Sequence, residues 1–155
     1  MQRRKFLNLL MVGGAGACLG SRAAFAGYSV TKSDAEWKKI LSPAAYDVLR
    51  HQGTEMPYSS PLDAITKKGT YTCAGCDAAL FSSDTKYDSR TGWPSFWKPL
   101  PEAVITRTDT SEMMIRTEVL CHSCGGHLGH VFTDGPKPTG LRYCMNGVAM
   151  RFKAA

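Results

Sequence analysis

The feature that most restricts how this chain can fold is a pair of Cys-x-x-Cys hooks, Cys73-Ala-Gly-Cys76 and Cys121-His-Ser-Cys124, separated by the 44 residues from Asp77 to Leu120. Each tight hook presents two thiolates about one metal diameter apart, so two hooks complete the closed tetrahedral shell of a structural Zn(II) site. A fold of this kind must bring the two turns face to face. The alternative use of the same four residues is as disulfides or as a redox dithiol, which an oxidising compartment would favour. Gly75 and Gly125 are expected to ease the two turns. His122, His127 and His130 flank the second hook but are not needed as ligands when four Cys are at hand, and His51 reads as a surface helix residue.

The compartment is legible at the other end of the chain. Arg3 and Arg4 precede a modestly apolar, Gly-rich stretch that runs to about Leu19, a pattern that resembles a twin-arginine export signal. Ala24-Phe25-Ala26 supplies small residues for cleavage before Gly27, and the apolar run is short for a bilayer span. Residues 1–26 are therefore expected to be a signal peptide cleaved after Ala26, and residues 27–155 a soluble periplasmic domain. An uncleaved anchor and a lipidated Cys18 are the alternatives, the second weakened by Ala15 at a position that calls for a branched apolar residue. A route that carries folded proteins would let the metal be loaded in the reducing cytoplasm.

Removing the leader also removes most of the apparent basicity. The formal charge of +6 falls to +2, because Arg3, Arg4, Lys5 and Arg22 have no acidic counterpart before Gly27. A four-thiolate zinc core would carry a further −2, leaving almost no field to attract phosphate, so nucleic acid is excluded as a partner. The 129 residues that remain suffice for one domain with one core, and an apolar content of 43% excludes a disordered chain. Nothing in them demands association beyond a monomer.

Ser33-Asp-Ala-Glu36 has the form of a capping box that opens a short helix through Trp37 and Ile40. Ser42 and Pro43 open a second helix that Gly53 can end, with Tyr46, Leu49 and Arg50 spacing out a partly apolar face. From Gly69 onward the signals are of short strands: Thr70 to Cys73, Ala103 to Thr108, Met113 to Cys121 and Leu141 to Phe152. The prediction is a mainly antiparallel β domain with helices at its N-terminus. The aromatic stretch Asp84 to Pro101 lacks alternation and reads as a long loop, a place where function often resides.

The fifth mature cysteine is Cys144. On a strand, Arg142, Cys144 and Asn146 share one face and Tyr143 and Met145 the other, with Arg142 placed to favour a Cys144 thiolate. A lone Cys is more often a small buried hydrophobe than a nucleophile. Its neighbours argue otherwise: Gly126-His127-Leu-Gly-His130 supplies two imidazoles, and Gly92-Trp93-Pro-Ser-Phe96-Trp97 a rigid aromatic surface. A thiol, proton donors and an apolar wall are what reduction of a thioether oxide requires. Two other classes remain open on the residues alone, a zinc-stabilised module that binds a partner through Trp93 to Trp97 and a dithiol oxidoreductase that uses a hook.

Cys73-x-x-Cys76, Phe81 to Ser89, Gly92 to Phe96, His127 to Phe132, Asp134-Gly-Pro136 and Arg142 to Asn146 together resemble the B-type methionine sulfoxide reductases, which act on the R epimer, over about Lys39 to Phe152. The resemblance implies a β-tent of two antiparallel sheets, with zinc far from the reaction and serving stability. It also implies Cys144 as nucleophile, Trp93 as the ring that receives the S-methyl group with Phe96 beside it, and Arg142 as the cation near the thiolate. His127, His130, Asp134 and Asn146 are implied to orient and protonate the sulfoxide oxygen. The substrates would be oxidised proteins and the intermediate a Cys144 sulfenic acid. Many members carry a resolving Cys just before the Gly-Trp-Pro-Ser-Phe motif, where this chain has Arg90 and Thr91. An external reductant, such as a thioredoxin-like protein, is therefore expected.

Overall fold

A computed structural model describes residues 27–155, and the expected leader lies outside the described residues. Helix α1 (Asp34–Ile40) begins at Ser33 with the full capping box, the Glu36 carboxylate accepting from the Ser33 amide at 2.8 Å. Helix α2 (Pro43–His51) is capped by Ser42, whose Oγ accepts from the Ala45 amide at 3.2 Å, and it ends at Gln52 in the left-handed region with φ 61°. Their apolar side chains Trp37, Ala45, Val48 and Leu49 are all buried.

Two wholly antiparallel sheets account for the rest. The smaller has the order β2-β1-β9, from β1 (Gly69–Cys73), β2 (Ala79–Ser82) and β9 (Met150–Ala154). The larger has the order β3-β4-β8-β7-β6-β5, from β3 (Lys86–Tyr87), β4 (Ser95–Phe96), β5 (Val104–Asp109), β6 (Arg116–Cys121), β7 (His127–Phe132) and β8 (Arg142–Met145). The core between them joins Tyr71, Leu80, Phe81, Phe96, Val119, Leu128 and Met145, with the Phe81 and Phe96 rings stacked 4.4 Å apart. This is the expected class, with two short helices, two antiparallel sheets and both hooks brought together.

Four local expectations are corrected. Leu141 to Phe152 is not one strand: it breaks after Met145, and β8 and β9 join different sheets through the turn Gly147–Ala149. The Glu55 carboxylate takes the Gly147 and Val148 amides at 2.5 and 3.0 Å, so neither amide is free to pair with a strand. Strand β6 starts at Arg116 rather than Met113, because Glu112 and Met113 have positive φ. Within the expected loop from Asp84 to Pro101, β3 and β4 form two-residue strands. Finally, Gly125 does hold φ 67°, but Gly75 serves packing: a Cβ there would lie 3.2 Å from the Trp37 ring, and Asp77 supplies the left-handed residue of the first hook.

Strand β7 carries no alternating signal, and its geometry explains why. Leu120 pairs with His127 and Val119 with Gly129, which leaves Leu128 as the extra residue of a β-bulge. Residues three apart on a regular strand face opposite ways; the bulge restores His127 and His130 to neighbouring positions, their rings 5.4 Å apart.

Candidate active site

Cys144 lies on β8 between two partners, paired with Ser95 of β4 on one side and His130 of β7 on the other. Tyr143 and Met145 alternate into the core, as the period of two requires. A cavity of about 170 Å³ opens over the thiol, lined by Thr54, Trp93, Arg116, Gly129, His130, Phe132, Cys144 and Asn146. It has room for a single side chain. A larger cavity, about 570 Å³ and bounded by Tyr58, Asp63, Lys86 and Tyr87, has neither a cysteine nor a histidine in its wall.

The structure thus brings Trp93, His130, Cys144 and Asn146 together in one cavity and leaves the other expected residues outside its wall. Phe96 is a correction. It is fully buried in the core and presents no surface to a substrate. His127 is 3% exposed and lies behind His130, and Asp134 forms a bidentate ion pair with Arg142 at 2.9 and 2.9 Å. Arg142 in turn lies over the Phe132 ring, 4.4 Å from its centroid.

The thiol itself also differs from expectation. Burial pushes the Cys144 pKa above its ordinary value, and this outweighs the downward pulls of the Thr91 hydroxyl, the Arg142 charge and Ser95. Thr91 Oγ1 lies 3.9 Å from the sulfur and belongs to a chain of hydroxyls, Ser89 to Thr91 at 2.8 Å and Ser89 to Ser95 at 2.7 Å.

Several residues that the sequence does not single out build the site. Asp109 accepts from His130 Nε2 at 2.8 Å and from Arg116 Nη2 at 2.9 Å. Hydrogen bonds from Ser111, then His130, hold the Asp109 carboxyl well below the usual range, so it stands ionised beside the imidazole. Glu118, 1% exposed, accepts from His127 Nδ1 at 2.7 Å, from Gln52 Nε2 at 2.9 Å and from Arg107. Burial alone would raise its pKa, but these three donors outweigh it and hold the carboxyl below its ordinary 4.5. Burial lowers the His127 pKa, favouring the neutral ring with its proton on Nδ1. Glu55 is the third: its carbonyl accepts from Trp93 Nε1 at 3.1 Å and its amide donates to Asn146 Oδ1 at 3.0 Å. The Asn146 Nδ2 donates to Leu128 O at 3.1 Å, which fixes the orientation of the amide. No periodicity or spacing could have connected these pairs.

The four hook sulfurs form a second, separate cluster. All lie within 4.8 Å of one another, with Cys73 and Cys124 sulfurs 3.7 Å apart and those of Cys76 and Cys121 3.6 Å apart. A disulfide needs about 2.05 Å, whereas a tetrahedral ion with sulfurs at about 2.3 Å sets them roughly 3.8 Å apart. The donor set therefore fits a metal ion. Helix α2 packs over it, since a Cβ on Gly126 would lie 2.8 Å from Leu49 Cδ2, and Arg50 donates to Cys124 O at 3.3 Å.

A family model described as the SelR domain matches residues 41–154. A protein of Leptospira interrogans serogroup Icterohaemorrhagiae serovar Lai is 56% identical over 127 residues, covering 81% of this chain and 97% of its own length. One of Agrobacterium fabrum is 54% identical over 125 residues, covering 80% and 93%, and one of Methanosarcina barkeri 56% over 126, covering 81% and 89%. Each of the three carries the name peptide methionine sulfoxide reductase MsrB.

Proposed function

The chain belongs to the SelR-domain family of peptide methionine sulfoxide reductases MsrB, and from that premise we propose that it reduces protein-bound methionine-R-sulfoxide through a Cys144 sulfenic acid that an external thiol returns to the thiol. The observation that carries this reading is the placement of Cys144. Among the described residues it is the one cysteine outside the four-sulfur cluster, and it shares its cavity with Trp93 and His130.

The S-methyl group packs on Trp93, whose ring the bond to Glu55 holds in place. The Cys144 thiolate attacks the sulfoxide sulfur while the sulfoxide oxygen takes a proton, for otherwise the S=O bond could not be lost. His130 supplies that proton: its ring lines the cavity, and ionised Asp109 orients it through Nε2. Asn146 orients the oxygen. Glu118 holds His127 as a packed, neutral neighbour, and Asp134 positions Arg142 so that its charge opposes the burial of the thiolate. Oxygen transfer leaves methionine reduced by two electrons and Cys144 oxidised by two, as sulfenic acid.

An incoming thiol then displaces water from the sulfenic acid to form a mixed disulfide, and a second thiol releases Cys144. With the other four described cysteines drawn into one cluster, a dithiol protein of the thioredoxin type suits both steps. The ion that we propose for Cys73, Cys76, Cys121 and Cys124 is Zn(II), one per chain, serving as a structural clamp that leaves no open coordination position. Export to the periplasm through the Arg3-Arg4 leader, and cleavage after Ala26, rest on the leader's sequence and are tested by N-terminal sequencing of the protein from a periplasmic fraction.

The decisive experiment is turnover on separated R and S sulfoxides with added dithiol. Consumption of the R epimer alone supports the reading; consumption of neither, or of the S epimer, refutes it.

A further inference from the structure

Six large apolar side chains stand exposed among the described residues, and five of them, Met56, Tyr58, Met113, Met114 and Ile115, belong to two segments rooted in the wall of the Cys144 cavity. Met113 to Ile115 run directly into Arg116, a cavity residue, at the end of the hairpin whose last pair is Asp109 with Arg116. Met56 and Tyr58 follow Thr54, another cavity residue, and the Tyr58 amide donates to Gly92 O, next to Trp93, at 2.7 Å. Single apolar residues scattered on a surface need no explanation, but a run of three that adjoins a residue of the cavity wall does.

The hairpin tip is held in an unfavourable shape. Glu112 and Met113 take φ of 54° and 57°, where residues with a Cβ are disfavoured, while Arg116 ties the turn down through Asp109, Ser111 and Glu112. Met113 and Ile115 emerge at 102% and 87% exposure. Glycine would have taken the same φ without strain, and polar side chains would have left no apolar surface exposed.

We propose that Met113, Met114 and Ile115, with Met56 and Tyr58, form an apolar lip that docks the substrate polypeptide on both sides of the oxidised methionine. The proposal rests on the reductase reading of Cys144 and names the form of its substrate. A cavity of about 170 Å³ takes one side chain and leaves the flanking residues outside, against this rim. The occupant that fits is a polypeptide segment with apolar residues beside the sulfoxide, because the surface those residues would meet is itself apolar. Methionine side chains suit such duty because they adapt to varied partners.

The test compares the full chain, metal-loaded, with a Met113→Ser/Met114→Ser/Ile115→Ser variant on three substrates: N-acetylmethionine-R-sulfoxide, a peptide with Leu and Phe flanking the sulfoxide, and one with Ser and Gly flanking it. The parent chain should prefer the apolar peptide over the polar one by about tenfold in kcat/KM, less than a hot spot contributes, and the variant should lose that preference through KM with kcat unchanged. On N-acetylmethionine-R-sulfoxide the two proteins should agree. Met113→Ser alone, at a fully exposed position, should remove part of the preference, which keeps the test open if the triple variant folds poorly. Equal losses on all three substrates, or a preference that survives the substitutions, would overturn the lip. So would a concentration-dependent dimer in sedimentation that the triple variant abolishes, since the patch would then serve a second copy. Failure of the parent chain on N-acetylmethionine-R-sulfoxide itself would overturn the reductase reading and the lip with it, an outcome distinct from the others.

Discussion

The Thr91 hydroxyl lies 3.9 Å from the Cys144 sulfur, so the residue just before the Gly-Trp-Pro-Ser-Phe run is in contact with the proposed nucleophile. A cysteine there should intercept the sulfenic acid. In Thr91→Cys, oxidation by substrate without reductant should yield a disulfide between the introduced thiol and Cys144, seen as a crosslinked peptide by mass mapping, whereas the parent chain should show none. A variant that accumulates only sulfenic acid would mean that the two side chains cannot approach to the ~2.05 Å of a disulfide.

The raised pKa of Cys144 fixes the direction of a pH profile. Alkylation by iodoacetamide should rise with pH, with a midpoint above the ordinary 9.0 of a thiol. Arg142→Met removes a charge that pulls the thiol down, so the midpoint should move higher still. The rate at neutral pH should then fall by about tenfold for every pH unit that the midpoint climbs. An unchanged midpoint would separate Arg142 from the sulfur. A raised folded pKa also makes the neutral thiol the form that favours folding. Its contribution is present below pH 9.0 and is lost as pH rises through the raised folded value.

Glu118 is buried and bonded to three donors, so Glu118→Gln should cost about 1–3 kcal/mol of stability at neutral pH, measured by urea unfolding. The pH dependence has a definite sign. A carboxyl held below 4.5 contributes stability above that pH and loses it as pH falls through the folded value, and His127, lowered from 6.5, weakens the fold as pH drops below 6.5. The variant should lack the carboxyl's part of this acid sensitivity.

Metal and nucleophile should separate cleanly by mutation. Cys76→Ser should release the ion and unfold the domain, because binding of roughly 10–16 kcal/mol for a structural zinc is comparable with a domain's whole stability. Cys144→Ser should keep the ion and the near-ultraviolet circular dichroism while losing turnover. A Cys76→Ser protein that stays folded and inactive would point instead to redox work by the hook.

Local and periodic features are the ones readable in the sequence. The caps at Ser33 and Ser42 need only neighbours in the chain, and the alternation of Arg142, Tyr143, Cys144 and Met145 places its own side chains. The hooks announce a site fit for a metal because ligand spacing is itself the signal. What stays hidden depends on register. His127 and His130 converge through a bulge that no hydropathy pattern marks, and Asp109 and Glu118 reach them from strands that look like ordinary alternating sequence. Phe96 escapes a reading by proximity, because an aromatic close to Trp93 in the chain turns away from it on β4, into the core. The thiol's pKa follows from depth of burial, which spacing from Arg142 does not report.

Glu55 has a consequence of its own. Its main chain fastens the indole of Trp93 and the amide of Asn146, while its carboxylate grips the bend at Gly147 and Val148 that follows them. Wall and floor of the chamber are thereby bolted to one crossbeam, which sets the spacing between them. The two hands of a sulfoxide would meet one preset arrangement of ring and amide, so cutting the crossbeam should blur the choice between them.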